Sequence, residues 1–207
     1  MLNRHGDFPF TPTAYMNLVA FLQPHYYASM DYPCEPGISR KLGLTSNAER
    51  IRATVLNTAA IVEWESHVPG QLVPVIQGYT LDEYRHCIDL YHQTGLVRPY
   101  MAVGSMCRRI SSADLHALIP GIAEHAQQAG ARRLHFFGLK LDPSLNDLSE
   151  LIYSRDSATV LDDYSATLRA QRDNRRWPVG QAEKEAAFAT FLDKLETLGL
   201  QYCSSDN

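Results

Sequence analysis

"QLVPVIQGYTLDEYRHCIDLYHQTG", residues 71–95, decides how the chain is read. It opens with a short apolar run of strand length bounded by two glutamines. Gly78 and Tyr79 turn the chain, and Thr80 with Glu83 forms a capping box that starts a helix ending near Gly95. This is one β-α unit. A buried strand normally hands over to a turn residue, but this one ends in Gln77, whose side chain carries two donors and an acceptor. Gln77 either ties down the loop that follows or reads a ligand at the strand's carboxyl end.

The same alternation extends both ways. "TPTAYMNLVAFLQ" starts with Thr11 as N-cap and Pro12 at the first helical position, and an apolar stripe runs through Tyr15, Leu18, Val19 and Leu22. "HYYASMD" (25–31) reads as a strand, followed by a loop rich in Pro and Gly. Ser46 with Glu49 makes a second capping box, for a helix over 47–65. Downstream, "PYMAVGS" (99–105) is a strand, and a helix runs from about Ser112 to Gln128 with Gly130 beyond its end. "RRLHFFGLK" (132–140) is a fourth strand, "PSLNDLSEL" a short helix and "LIYSRDS" (151–157) a fifth strand. Helices are expected over about 158–172 and 181–198, separated by a turn at Trp177-Pro178.

Five successive β-α units imply an α/β fold with a parallel sheet and right-handed crossovers. The spacings suit a (β/α) barrel or an open doubly wound sheet, but no G-x-G-x-x-G follows the first strand. A complete eight-stranded barrel usually takes about 250 residues. The chain therefore reads as a TIM-type barrel lacking its first strands. A single domain over 1–207 is expected, with C-terminal helices across 158–199.

Composition narrows the class. With 207 residues and 45% hydrophobic content, the chain can bury a full core. A net charge of −4 gives no global attraction to nucleic acid, so any such contact needs a local basic patch. No apolar run approaches the roughly 20 residues that span a bilayer. The opening "MLNRHGDFPF" has no apolar signal-peptide region. Cys34, Cys87, Cys107 and Cys203 form no C-x-x-C pair, which fits free thiols. A soluble cytoplasmic protein is expected.

In parallel α/β folds, function collects where strands end. Those positions hold Asp31, Gln77, Gly104 with Ser105, Gly138 with Lys140, and Asp156. Two carboxylates, an amide, a lysine and backbone N–H groups on one rim are what a planar, hydrogen-bonding ligand requires. Each has a plainer reading. Asp31 before Tyr-Pro suits a turn, Gln77 could bond its own loop, and Asp156 before Ser157 could cap the next helix. Arg108 and Arg109 follow the third strand end, where they could hold phosphates. Lys140 could alternatively form a Schiff base, although no sugar-phosphate signature accompanies it.

"MDYPCEP", "PVIQGYTLDEYRHCIDLY", "AVGSMCRR", "LHFFGLK" and "YSRDSAT" resemble, in order and spacing, the tRNA-guanine transglycosylase superfamily. The likeness is greatest to the branch that inserts 7-deazaguanines into DNA, and it covers residues 5–172. The resemblance implies a TIM barrel that exchanges a guanine base for a queuine-like 7-deazapurine without breaking the sugar-phosphate chain. It implies that Asp31 accepts from the purine's N1–H and exocyclic amine. Gln77 and the Gly104 backbone would hold the carbonyl edge, and Asp156 would be the nucleophile. Ser105, Gly138 and Lys140 would line the same pocket, with no cofactor.

Two features depart from that pattern. The family's Asp-Ser-Gly-Gly-Phe segment, whose aspartate is the general base, has no match, and Asp7 in "HGDFPF" reads as a surface residue. The Cys-x-Cys-x-x-Cys zinc motif of the tRNA enzymes is also unmatched, so no metal is expected and DNA is favoured over tRNA. Cys34, Cys107 and His135 are too scattered in sequence for a convincing site. A homodimer or a partner chain is expected to complete the barrel. The alternatives are a non-catalytic or split-barrel subunit and a deazaguanine nucleoside hydrolase.

Overall fold

The computed structural model describes residues 8, 10–36, 46–107, 109, 111–139 and 142–156. The chain divides into two compact units, residues 1–139 with 144–156 and residues 140–143 with 157–207. The first holds every strand and α-helix described below. The expected helices over 158–172 and 181–198 lie outside the described residues, as does Asp7.

The strands are β1 (Tyr26–Ala28), β2 (Gln71–Val73), β3 (Val75–Ile76), β4 (Tyr100–Val103), β5 (Arg133–Phe136) and β6 (Ser154–Arg155). Four helices accompany them: α1 (Pro12–Leu22), α2 (Asn47–Val62), α3 (Leu81–Gln93) and α4 (Ser112–Ala129). The expected starts hold. Thr11 caps α1 with Pro12 behind it, and the Ser46/Glu49 and Thr80/Glu83 boxes are both closed reciprocally. Gly130, at φ 113°, ends α4 in the left-handed region that glycine tolerates best. The segment expected as a short helix is a 3-10 turn, Pro143–Leu148.

All ladders are parallel. β1 pairs with β2, and β3, β4, β5 and β6 pair in that order. The predicted second strand is split because Pro74 has no N–H to give the ladder. Ser29 repairs the break: its N–H donates to Val73 O (3.0 Å), and its Oγ accepts from Val75 N–H (2.9 Å). Residues 71–76 thus run as one interrupted strand beside β1, and spatial order follows chain order without the reversal of a doubly wound sheet. Among the described residues the ladders form two sheets and do not close into a barrel.

Residues two apart share a face of a strand. One face presents Ile76, Met101, Val103, Leu134 and Phe136 to a core completed by Ile51, Tyr84, Ile88, Tyr91, Ile119 and Ile122 of α2, α3 and α4. The opposite face carries Val73, Val75 and Ala102, with Ala28, Tyr100 and Phe137 around them. Helix α1 departs from its predicted stripe. It buries Met16 and Val19, whereas Leu18 (51%), Phe21 (82%) and Leu22 (62%) are exposed. The helix is apolar around most of its circumference, so periodicity could not single out its inward side.

Ser29→Ala is expected to remove about 1–3 kcal/mol of stability by leaving the Val75 N–H buried and unpaired. Urea denaturation of the two proteins checks this, and an unchanged midpoint would show that the Pro74 break needs no bridge.

Candidate functional site

Strand register sets the site. Val75, Ala102, His135 and Ser154 pair across four neighbouring strands, in one row on the face away from the helices. Two positions on, at the carboxyl ends, the same-face row is Gln77, Gly104, Phe137 and Asp156. Asp31 joins from the segment after β1, where Gln77 Nε2 donates to Asp31 Oδ2. Five strand ends therefore deliver Asp31, Gln77, Gly104 with Ser105, Gly138 and Asp156 to one rim. Lys140 and Arg108 lie outside the described residues.

Gln77 is almost fully buried, and its carboxamide is held from two sides. While one N–H reaches Asp31, Ser105 O–H donates to Gln77 Oε1 at 2.7 Å. The Gln77 backbone N–H donates to Cys87 Sγ at 3.3 Å, and burial pushes that thiol up to about 12, so it stays protonated. Ser105 also accepts from Cys34 N–H at 2.9 Å, and it does so from φ 58°. A non-glycine residue held there costs on the order of 1–3 kcal/mol. Its two hydrogen bonds fix the junction of three loops.

Gly104 contributes space rather than a donor. Its N–H is spent on Ile76 O (2.9 Å), and its carbonyl accepts from Tyr84 O–H (2.9 Å). A β-carbon there would fall on the Gln77 carboxamide. Arg109 is buried as well: its guanidinium lies 4.6 Å from the Tyr79 ring centroid and donates to Tyr79 O and Tyr84 O–H. It braces the loop after β4 against the loop after β3.

Sequence reasoning missed the residues that hold Asp31. Helix α2 carries a polar stripe in which Arg50, Thr54 and Thr58 are buried at helical spacing, with Arg50 and Thr54 reaching the 30–34 loop and Thr58 reaching Tyr91 O–H. Thr54 Oγ1 accepts from Tyr32 N–H (2.9 Å), Arg50 Nη1 donates to Pro33 O (2.8 Å), and Asn57 Nδ2 donates to Met30 O (3.2 Å). The signal was present: three polar residues four apart, on the side of a helix that should face a core.

The two carboxylates differ in setting. Burial pushes the Asp31 carboxyl above its ordinary range, against the downward pull of the Gln77 N–H. Asp156 is exposed, and its Oδ1 accepts from Gly138 N–H at 2.7 Å. Gly138 makes that donation at φ 68°, and a β-carbon there would collide with Cys107. His135 Nε2 also lies 3.4 Å from Asp156 Oδ1. A cavity of about 520 Å³ opens at the opposite, amino-terminal rim, lined in part by Tyr26, Arg98, Tyr100 and Arg133. That is the end whose residues in parallel barrels serve stability rather than chemistry.

Among the described residues, no group of three His, Cys, Asp or Glu side chains is placed to hold a metal ion. Nor is any described helix long and apolar enough to cross a membrane. Cys34, Cys87 and Cys107 are free thiols. Comparison with known families matches residues 5–172 to DpdA, deoxypurine in DNA protein A. The chain belongs to that family. The DpdA family is transglycosylase-like and concerned with guanine modification in DNA, which agrees with the resemblance seen in the motifs. No curated protein matches the chain.

The Asp31 environment predicts a pH signature. An unfolded Asp loses its proton near pH 3.9, whereas the folded one holds it to higher pH. Between those values the native state binds more protons, so this group's contribution to stability falls as pH rises and then levels off. Asp31→Asn removes the ionisation, and its stability relative to the parent should rise across that window. Urea midpoints at pH 4, 5.5 and 7 measure the difference; a constant difference would mean Asp31 is not held above its ordinary range.

Proposed function

We propose that this DpdA-family chain is a base-exchange glycosyltransferase that replaces guanine in DNA with a 7-deazaguanine, using Asp156 as nucleophile. The observation that carries the reading is the shared carboxyl-end row, with Gln77 and Asp156 on one face and Asp31 bonded to Gln77. A flipped-out purine presents N1–H and its exocyclic amine as donors beside a carbonyl acceptor. Ionised Asp31 takes the two donors. The second Nε2 proton of Gln77 is available for the carbonyl, because only one reaches Asp31. Ser105 fixes which way the carboxamide points. Asp31 in its partly buried setting is raised toward its protonated form, and two donors from the base offset the cost of ionising it.

The reaction follows the logic of retaining glycosidases. The C1′–N9 bond of the target nucleotide breaks through an oxocarbenium-like transition state as Asp156 Oδ2 forms a bond to C1′. The departing guanine takes up a proton from solvent. The incoming 7-deazaguanine then gives a proton to solvent, bonds to C1′ through its ring nitrogen, and returns the electron pair to Asp156. No cofactor or metal enters these steps.

The sequential order of parallel strands and the polar rim support reading the array as an arc of a TIM-type barrel. A second reading rests on that arc, whose outermost described strands are β1 and β6. Unpaired strand edges are usually covered. A second copy or another chain would then cover those edges, and the family's general base would come from another chain. Exchange that appears only when a further component is added would favour this split-barrel reading.

Asp156→Asn should keep the fold and abolish a denaturation-resistant adduct between the protein and guanine-containing DNA. An adduct surviving that change would place the nucleophile elsewhere. Gln77→Ala is expected to weaken calorimetric binding of 7-deazaguanine by about 1–3 kcal/mol through the lost buried hydrogen bond. Unchanged affinity would remove Gln77 from the base pocket.

A further inference from the structure

A chain of four side chains, the first three hydrogen-bonded and the last in ion-pair contact, crosses the face that carries Asp156. Tyr100 O–H and Ser154 Oγ are 3.0 Å apart, Ser154 Oγ and His135 Nδ1 are 2.9 Å apart, and His135 Nε2 stands 3.4 Å from Asp156 Oδ1. Register explains the meeting. His135 and Ser154 are direct partners on β5 and β6, and Asp156 is the next same-face residue along β6. The Phe137 ring stands edge-on to the imidazole, with centroids 4.7 Å apart, and limits its rotation.

We infer that His135 is a positioning residue for Asp156: its Nε2–H, together with Gly138 N–H, ties Oδ1 and leaves Oδ2 as the oxygen that attacks. This rests on the reading of Asp156 as nucleophile. Asp156 Oδ1 faces both donors, whereas Oδ2 has no hydrogen-bond partner among the described residues and the side chain is 63% exposed. Burial pulls His135 below its ordinary value, with Asp156 opposing, so the ring favours its neutral form. An ionised carboxylate can only accept, which sets the proton on Nε2 and makes Nδ1 the acceptor. Ser154 O–H then donates to Nδ1, and Tyr100 O–H donates to Ser154. Every donor in the chain points toward the nucleophile.

A neutral imidazole suits this task better than a cation would. It orients the carboxylate without the full charge pairing that would blunt the attack. When the incoming base displaces Asp156, the same N–H stabilises the carboxylate as its charge returns.

The tautomer comes first. Long-range ¹⁵N–¹H correlation on histidine-labelled protein at pH 7 should show His135 as the Nε2–H form, and Ser154→Ala should relax it toward a mixture. A predominant Nδ1–H form, or an imidazolium, overturns the inference whether or not the chain is active. The second measurement is the rate of adduct formation with guanine-containing DNA, beside calorimetric affinity for 7-deazaguanine. His135→Phe should slow the adduct about 100-fold, as expected for a misplaced reacting group, with base affinity unchanged. His135→Gln restores an N–H donor and should recover the rate to within about tenfold of the parent. Loss in His135→Phe without recovery in His135→Gln would mean the ring only fills space, which overturns the inference. An adduct lost in Asp156→Asn but formed at the parental rate in His135→Phe overturns it too, and leaves the nucleophile reading intact. An adduct that persists in Asp156→Asn removes both.

Discussion

The carboxamide of Gln77 is the constraint on which the rim depends. It is buried, so each polar atom needs a protein partner, and the partners come from the segments after β1 and β4. Asp31 supplies one and Ser105 the other, so three chain segments are locked at one point. Gly104 must then lack a side chain, because a β-carbon would occupy the carboxamide's place. Ser105 must hold a left-handed backbone to deliver its hydroxyl, and Cys34 N–H, from the same segment as Asp31, supports that posture. Each of these features looks odd alone. Together they follow from one amide side chain at the end of a buried strand.

The rest of the site follows from the two faces of the sheet. Parallel β-α-β connections place α2, α3 and α4 on the face lined by Met101, Val103, Leu134 and Phe136. The alternate residues are thereby assigned to the other face, where small Ala102 sits below Gly104, and His135 below Phe137. Chemistry-bearing residues on that face need not be near in sequence, only in register. His135 and Asp156 are an example: their meeting depends on the pairing of β5 with β6 and on nothing local to either residue.

That distinction explains what the sequence could reveal. Caps are local, so Thr11, the Ser46/Glu49 box and the Thr80/Glu83 box were legible together with the helices they start. The five strand positions were legible too, although Pro74 splits one of them and only Ser29, far away in sequence, holds the pieces together. Strand-end reasoning named Gln77, Asp31 and Asp156 but not what supports them. The bonds from Thr54, Arg50 and Asn57 to the Asp31 loop join residues far apart in the chain, so the polar stripe on α2 was visible but its partners were not. The surroundings of Arg109 were hidden for the same reason. Its place after β4 suggested a phosphate contact, whereas Tyr79 and Tyr84, from the preceding β-α unit, draw it inward. Helix α1 misled in its pattern, since an almost wholly apolar helix does not declare its buried side.

The contrast between the two carboxylates ties fold to chemistry. A group that reads a base must be desolvated, so that its hydrogen bonds count against the wrong base and do not compete with water. In the role proposed for it, Asp31 gains this from its partly buried setting, at a cost in stability once the carboxyl ionises. A group that attacks a sugar must instead be open on one side and oriented on the other. The setting of Asp156 suits the role proposed for it, with Oδ1 bonded by Gly138 N–H and 3.4 Å from His135 Nε2 while the side chain stays exposed. Exchanging the two environments would remove the physical basis for both proposed roles. Both settings occur on one rim: α2 bonds the loop that carries Asp31, whereas the Asp156 side chain stays exposed.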